Sequence, residues 1–196
     1  MNAPTNPKEL ELQTVEFKLD GKTIISYEGE TILKAAKRHG VDIPHLCFKD
    51  GYRPDGNCRA CVVEINGERT LAPSCCRSAT PGMEVKANSE RAVKSQKLVL
   101  EMLLSDMPDE GFKWVGDSKE EEQLNQHGEL STWATRMDVT VRPELKALRR
   151  KKVSADISHP AMAVNLDACI QCNRCARACR EEQVNDVIGY AMRGAH

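Results

Sequence analysis

Residues 47–76 hold five of the nine cysteines of this chain, in the order Cys47-x10-Cys58-x2-Cys61-x13-Cys75-Cys76. The remaining four follow much later, in the order Cys169-x2-Cys172-x2-Cys175-x3-Cys179. Thiolates bind the irons of iron–sulfur clusters, and two cysteines separated by two residues on a tight loop can face the same cavity. The spacing therefore predicts two separate sites, each of which binds an iron–sulfur cluster.

Two other uses of cysteine fit the sequence less well. A disulfide-stabilised secreted protein would begin with a signal peptide, whereas residues 1–12 are polar and charged. A zinc ribbon places its two Cys-x2-Cys pairs about 15 to 20 residues apart, but Cys61 and Cys169 are 108 positions apart. Reduced cysteines in turn favour a reducing, cytoplasmic location.

Composition argues against several classes of function. The chain has 196 residues, a formal net charge of −1 and only 4% aromatic residues, so neither a basic surface nor a base-stacking platform indicates nucleic-acid binding. No segment approaches the roughly 20 apolar residues that a membrane span needs. The wide gap between the two cysteine sets favours two small domains.

The first part of the chain predicts an α+β domain built around the first cysteines. Alternating apolar and polar residues flank the turn Asp20-Gly21, which is typical of a hairpin, and Thr31 can cap the helix that follows. The predicted strands are 14–19, 22–26, 62–65 and 83–87, and the predicted helix is 32–39. A hairpin, a helix and then a cysteine loop open a β-grasp [2Fe-2S] ferredoxin domain, to which we assign residues 12–90.

Residues 91–158 are predicted to be a helical linker. Ser89 can cap a helix that ends before Pro108, and its expected apolar face consists of Val93, Leu98, Val99, Met102 and Leu103. Shorter charged helices are predicted at 119–126 and 143–152. The basic run Arg149-Arg150-Lys151-Lys152 is interpreted as a solvated face, with a docking patch for an acidic partner as the alternative.

Residues 159–196 predict half of a bacterial-type [4Fe-4S] ferredoxin domain, with strands at 162–166 and 184–188 on either side of the cysteines. The run from Cys169 to Cys179 matches the Cys-x2-Cys-x2-Cys-x3-Cys pattern of such clusters, in which the fourth cysteine often binds a second cluster. Cys179 therefore either completes the cluster of Cys169, Cys172 and Cys175 or belongs to another one. In the second case we expect the chain to be part of a longer protein.

The first site is predicted to hold a [2Fe-2S] cluster through Cys47, Cys58, Cys61 and Cys75, with two thiolates on each iron. Neighbouring side chains in an extended segment point in opposite directions. Cys75 is therefore favoured over Cys76, which we expect to be a buried free thiol. A Rieske centre would need two histidines in place of two cysteines, so His45 is interpreted as a residue that either packs near the ligands or supports them by a hydrogen bond.

These motifs resemble a known family of electron-transfer subunits. The first spacing and the segments Ile43–Cys47, Gly56–Cys61 and Leu71–Cys76 resemble the N-terminal ferredoxin domain of three groups: the large iron–sulfur subunit of respiratory complex I, the diaphorase subunit of NAD-linked hydrogenases, and NAD-dependent molybdenum or tungsten formate dehydrogenases. The double cysteine and the segment Ala168–Cys172 are most similar to the alpha subunit of soluble NAD-dependent formate dehydrogenases.

The resemblance implies a module that relays electrons between a formate-oxidising pterin site and a flavin/NAD-binding partner. It would not oxidise formate on its own, because the molybdopterin-binding domain of that family is not among these residues and the chain has no Gly-rich dinucleotide fingerprint. The first alternative is a small diaphorase-type subunit of an NAD-linked hydrogenase or complex I-like enzyme. The second is a redox-sensing or structural iron–sulfur protein.

Overall fold

The structure is a computed structural model that describes residues 13–107, 128–151 and 156–190. Its first part contains a mixed five-stranded sheet of β1 (Thr14–Leu19), β2 (Lys22–Tyr27), β3 (Val62–Ile65), β4 (Ala72–Pro73) and β5 (Glu84–Lys86). The spatial order of the strands is β2-β1-β5-β3-β4. Only the pairing of β1 with β5 is parallel. A mixed sheet with helices is consistent with the predicted [2Fe-2S] ferredoxin-like domain.

The predicted hairpin is confirmed, and its turn is also joined to the far side of the sheet. Asp20 and Gly21 both have positive φ, +51° and +81°, which matches the right-handed twist of the two strands. The Asp20 carboxylate then accepts a 2.8 Å hydrogen bond from the backbone N–H of Ala87, just after β5. One turn therefore holds β1 against both β2 and β5.

Helix α1 (Ile32–Arg38) packs its apolar face on the sheet. Thr31 caps it as predicted, accepting a hydrogen bond from the backbone N–H of Lys34. The helix buries Ile32, Leu33, Ala35 and Ala36. These helix residues form the main core together with Phe17, Leu19, Val63 and Val85 from the strands. Cys61 and Cys75, two of the predicted cluster ligands, are also part of this core.

Helix α2 (Glu90–Asp106) has the predicted Ser89 cap, but the predicted apolar face is partly wrong. Leu98 and Met102 are 41% and 50% exposed, while Gln96 is buried. The Gln96 side-chain amide donates to the carbonyl oxygens of Val62 and Ala87, at 2.9 and 3.2 Å. These two hydrogen bonds orient the helix so that Gln96 faces the sheet, and the buried face is shifted from the one that hydrophobicity alone predicts.

Helix α3 (Glu129–Arg136) packs against α2 and buries Leu130 and Ala134. A 3-10 helix over Pro143–Leu148 replaces the longer helix predicted at 143–152. The predicted helix at 119–126 lies outside the described residues. The solvated interpretation of the basic run is wrong for Arg150, which is only 6% exposed because its guanidinium donates to backbone carbonyls of the neighbouring segments.

The second cysteine set follows a two-stranded sheet of β6 (Asp156–His159) and β7 (Met162–Val164). Helix α4 (Arg174–Arg177) continues into a single π turn over Ala178–Glu182. The strand predicted at 184–188 is wrong. Val184 and Asp186 have positive φ, and the backbone N–H of Asn185 bonds back to the Cys179 carbonyl, so this segment curls around Cys179 instead of extending.

Candidate metal centre

The fold brings together four sulfurs from three separate segments. Cys47 follows α1, Cys58 and Cys61 precede β3, and Cys75 lies in the turn after β4. The backbone N–H groups of Cys47 and Cys58 each donate to the other residue's sulfur, at 3.5 and 3.4 Å. Cys75 is in hydrogen-bond reach of both Cys47 and Cys61. The thiols therefore form one continuous group, in which Cys47, Cys61 and Cys75 are buried.

The electrostatics of this group suit a polynuclear cation. A hydrogen bond from the Cys58 thiol, followed by one from Cys75, holds the pKa of Cys47 well below its usual range. The same contact with Cys47 raises the pKa of Cys58. Like charges this close oppose further ionisation, so four thiolates require positive charge among them. Iron bound by thiolates supplies that charge, and the donor set fits an iron–sulfur cluster.

The loop that carries Cys58 depends on unusual backbone angles. Arg59 and Gly56 have φ of +59° and +63°. A Cβ added at Gly56 would lie 3.0 Å from the Cys76 sulfur, which is tighter than nine in ten real Cβ contacts. Gly56 is therefore more than an ordinary turn glycine, because both its φ and the nearby thiol disfavour a side chain.

The expectation that Cys76 is buried is wrong. Cys76 is exposed, and its sulfur lies only 3.5 Å from that of Cys75. The backbone N–H groups of Cys76 and Arg77 both donate to the Pro73 carbonyl, so the two cysteines lie in a tight turn and not in an extended segment. The argument that their side chains must oppose each other does not apply there, and the choice of Cys75 as ligand stays a prediction.

His45 has the packing environment expected of it. Its Nδ1 lies 2.8 Å from the Ile43 carbonyl oxygen. The ring meets Phe48 edge-on at a centroid distance of 5.8 Å and lies 6.0 Å from the Trp133 ring. These contacts join the first cysteine loop to α3.

The second cysteine set is more open. Cys169 and Cys172 are half-buried, Cys175 is exposed and Cys179 is buried. Partial burial, and then the charges of Cys175, Cys169 and Cys172, raise the pKa of Tyr190, so this largely exposed phenol lies in the field of three of the four thiols. The sulfur of Cys179 instead accepts a hydrogen bond from the backbone N–H of Val187, at 3.3 Å. The ligand assignment at this site stays a prediction.

Two arginines at the site were missed by sequence reasoning. Arg150 donates to the carbonyls of Leu166, Asp167 and Cys169, which holds the turn that leads into the second cysteine set. Arg177 reaches from that set into the first cysteine loop. The signals in the sequence were the basic run for Arg150 and, for Arg177, an arginine at every third position among the cysteines, 174, 177 and 180. Neither pattern distinguishes buried from solvated arginines.

Comparisons with known proteins agree with the geometry of the first site. Residues 13–90 match a family model described as a 2Fe-2S iron-sulfur cluster binding domain.

In the described part of the chain, no group of three or more His, Cys, Asp or Glu side chains is arranged to hold a single metal ion. No helix among the described residues has the length and apolarity to cross a membrane.

Among curated proteins, the NADP-reducing hydrogenase subunit HndD of Solidesulfovibrio fructosivorans is 37% identical over 185 residues, which cover 90% of this chain and 29% of that protein. The mitochondrial NADH-ubiquinone oxidoreductase 78 kDa subunit of Candida albicans is 32% identical over 184 residues, which cover 91% of this chain and 23% of that protein. The chain thus spans less than a third of the length of these relatives.

A solved structure of an NAD+-reducing [NiFe]-hydrogenase in the H2-reduced state is also similar. It superposes with a TM-score of 0.72 at 29% identity, covering 92% of this chain and 72% of that one. Residues 13–90 of this chain are therefore a 2Fe-2S iron–sulfur cluster binding domain, homologous to those of NADH-ubiquinone oxidoreductase and NAD-reducing hydrogenase subunits.

Proposed function

We propose that this chain is an iron–sulfur electron-transfer module of an NAD-linked oxidoreductase of the hydrogenase or complex I type. The observation that carries the proposal is the meeting of Cys47, Cys58, Cys61 and Cys75 in a domain that matches the 2Fe-2S model. The similarity to hydrogenase and NADH-ubiquinone oxidoreductase subunits favours this assignment over the formate dehydrogenase assignment.

In this proposal the four thiolates hold a [2Fe-2S] cluster, which takes up and releases one electron at a time. The chain's own contribution is to set the ease of reduction. The reciprocal N–H contacts of Cys47 and Cys58 place two backbone dipoles at the ligand sulfurs. Such hydrogen bonds favour the more negative, reduced form and raise the reduction potential.

The second site is proposed to hold a [4Fe-4S] cluster through Cys169, Cys172 and Cys175, with Cys179 either as its fourth ligand or as a ligand of another cluster. The closeness of the first three thiols to Tyr190 supports grouping them together. The proposed domains remain residues 12–90, 91–158 and 159–196. A flavin/NAD-binding subunit is the proposed partner, and a cytoplasmic location is proposed from the reduced cysteines.

A formate dehydrogenase remains a second candidate, in which the partner would include a molybdopterin-type catalytic domain. The features that favour it are the adjacent cysteines Cys75 and Cys76 and the segment Ala168–Cys172. The two candidates predict the same clusters but different electron donors.

The test is to purify the chain anaerobically and to count its iron and sulfide. EPR after reduction with dithionite should show a [2Fe-2S] signal, and a preparation with no such cluster would contradict the proposal. The chain is then added to extract of its source, and reduction is followed with NADH, H2 or formate as the donor. H2-driven reduction would support the hydrogenase type, NADH alone the complex I type, and formate the second candidate.

A further inference from the structure

Arg177 lies in the middle of the second cysteine set, but its side chain contacts the first. It stands two positions after Cys175 and two before Cys179. Its Nη1 donates to the Arg53 carbonyl at 2.6 Å, and its Nη2 donates to the Cys47 carbonyl. One planar guanidinium therefore joins the two ends of the segment 47–53, which contains the first ligand of the first site.

The same side chain brings a buried positive charge to the first site. It is only 3% exposed, and its Nε is 3.9 Å from the Asp55 carboxylate with no hydrogen-bond partner. The guanidinium carbon lies 5.9 Å from the centre of the Tyr52 ring. Burying a cation is costly unless charge and hydrogen bonds compensate for the lost water. Two carbonyl oxygens and the Asp55 carboxylate provide this compensation, and they hold the guanidinium against the first loop.

Two weaker contacts join the same pair of segments. The Asn57 side chain donates to the Gln171 carbonyl at 3.4 Å, and Arg53 pairs with Glu181 at 3.5 Å. Both are at the surface, and the Arg53 side chain is 73% exposed. Exposed ion pairs contribute little to stability. Arg177 is therefore the main polar connection between the two cysteine segments.

We propose that Arg177 is a positioning residue for the first cluster site and couples it to the second. This inference rests on the proposed function, since it assumes that both sites hold clusters. The guanidinium fixes the carbonyl of Cys47, and with it the ligand, from a helix that carries ligands of the other site. The position of the Cys47 ligand at the first site therefore depends on the position of the helix at the second site.

Two measurable consequences follow. A thiolate-bound cluster is anionic and gains a further negative charge on reduction, so a fixed cation nearby favours the reduced form and raises its potential. Holding the two segments together also keeps the two clusters close. Each cluster then speeds the electron-spin relaxation of the other when both are paramagnetic.

The test uses Arg177→Met and Arg177→Lys in the full chain. For Arg177→Met we expect the first cluster to have a lower midpoint potential in an EPR-monitored titration and a lower half-saturation microwave power when both clusters are reduced. Arg177→Lys keeps the charge but loses the planar guanidinium, whose two Nη groups bind two carbonyls at once. It should recover most of the potential but not the half-saturation power.

Arg180→Met is the matched control, because it removes the same charge from the same helical segment. The Arg180 side chain is 57% exposed and pairs with Asp186 instead of the first loop. It should leave the first cluster's potential and half-saturation power unchanged. Equal shifts in Arg180→Met and Arg177→Met would overturn the proposal, because the effect would then be one of overall charge.

Wild-type values in Arg177→Met would also overturn it. If Arg177→Met does not accumulate as folded protein, Arg177→Lys decides alone, and wild-type relaxation in that variant would contradict the role of the two-carbonyl contact. The cluster content of the wild-type chain is read first. A wild-type chain without clusters would refute the proposed function, whereas a loaded chain that is insensitive to Arg177 would refute only this inference.

Discussion

The two cysteine regions of this molecule are held in place in different ways. The first is built into a core: Cys61 and Cys75 lie among residues of the main hydrophobic cluster. The second is surrounded by exposed apolar side chains, with Val184, Val187 and Tyr190 at 81%, 77% and 63% exposure. Its position depends on a few polar contacts between residues far apart in sequence: those donated by Arg150 and Arg177, and one that the Gln171 carbonyl accepts from Asn57. The fold of the first region therefore rests on its own hydrophobic core, whereas the second region is held mainly by polar contacts with its neighbours.

The largest expected effect comes from removing a proposed ligand of the first site. Cys75→Ser should abolish the [2Fe-2S] EPR signal and lower the melting temperature strongly, because cluster binding and folding are linked. The matched control is Cys76→Ser, in which an exposed neighbouring thiol is removed and the signal should stay nearly intact.

The opposite pattern, with Cys76→Ser losing the signal and Cys75→Ser keeping it, would show that Cys76 is the ligand. The sulfurs are only 3.5 Å apart, so a third result is also informative. If only the double variant loses the cluster, then either thiol can serve as the fourth ligand. The burial of Cys75 in the core would then not decide which thiol binds the cluster.

The next largest contrast compares apolar residues of the two regions. Leu33→Ala removes a side chain that is 1% exposed, and such truncations cost about 2–5 kcal/mol of unfolding free energy. Val187→Ala removes one that is 77% exposed and should change stability by less than about 0.5 kcal/mol. Chemical denaturation of the cluster-loaded chain measures both. Equal losses would mean that Val187 is buried in solution and that the second region has a core of its own.

Arg150→Met tests the polar support of the second region. Removing this buried side chain takes the Arg150 donor away from the carbonyls of Leu166, Asp167 and Cys169, a cost of about 3 kcal/mol. The iron content of the second site should fall while the first site keeps its EPR signal. Lys151→Met, at an exposed position of the same basic run, is the control and should leave both sites loaded.

Gly56→Ala should have a smaller effect, confined to the first region. Alanine would have to adopt φ of +63° and place its Cβ 3.0 Å from the Cys76 sulfur. The left-handed conformation alone costs about 1–2 kcal/mol. The double variant Gly56→Ala with Cys76→Ala separates the two causes by thermal melting. Recovery of part of the loss would confirm the contact with sulfur, and no recovery would assign the whole cost to the backbone.

The smallest effect concerns a surface ion pair of the first region. Burial raises the pKa of Glu30, but the hydrogen bonds from Arg38 and from the Tyr27 backbone outweigh it, so the pKa is lowered from 4.5. A depressed carboxyl pKa stabilises the fold above the unfolded value, and this contribution is lost as pH falls through the folded pKa. Glu30→Gln should therefore reduce stability by about 0.2–1 kcal/mol at pH 7.

The effect of the same substitution should shrink as the pH falls through the folded pKa of Glu30, and it should vanish once Glu30 is protonated in both states. Unfolding of the chain at pH 7 and at a series of lower pH values, with and without the substitution, measures this. Lys37, which pairs with Asp50 at 2.7 Å on the exposed face of α1, provides a comparison. Lys37→Met should reproduce the size of the effect without changing the Glu30 titration.

Much of the first region could be predicted from the sequence because its signals are local. The turn Asp20-Gly21, the caps Thr31 and Ser89, and the cysteine spacing each depend on residues within a few positions of one another or on the chemistry of thiolates. The structure confirms the hairpin and both caps. The sulfurs predicted as one ligand set also meet.

The wrong predictions fall where a local conformation depends on hydrogen bonds that the sequence pattern does not show. Hydrophobicity placed Leu98 and Met102 in the buried face of α2, but the two carbonyls that bind Gln96 come from β3 and from the end of β5. The extended geometry assumed for Cys75 and Cys76 was replaced by a turn bonded to Pro73. The strand predicted at 184–188 does not form, because the backbone N–H groups of Asn185 and Val187 bind Cys179 instead.

The sequence by itself determined that this chain carries two cysteine sites of different spacing and that the first lies in a small mixed-sheet domain. Only the tertiary structure decided how the two sites meet. Arg177 and Cys47 are 130 positions apart, and no local pattern distinguishes an arginine that enters a buried loop from one that faces water. That choice depends on which backbone carbonyls lie within reach once the chain has folded, because a buried guanidinium is stable only where such acceptors replace its lost water.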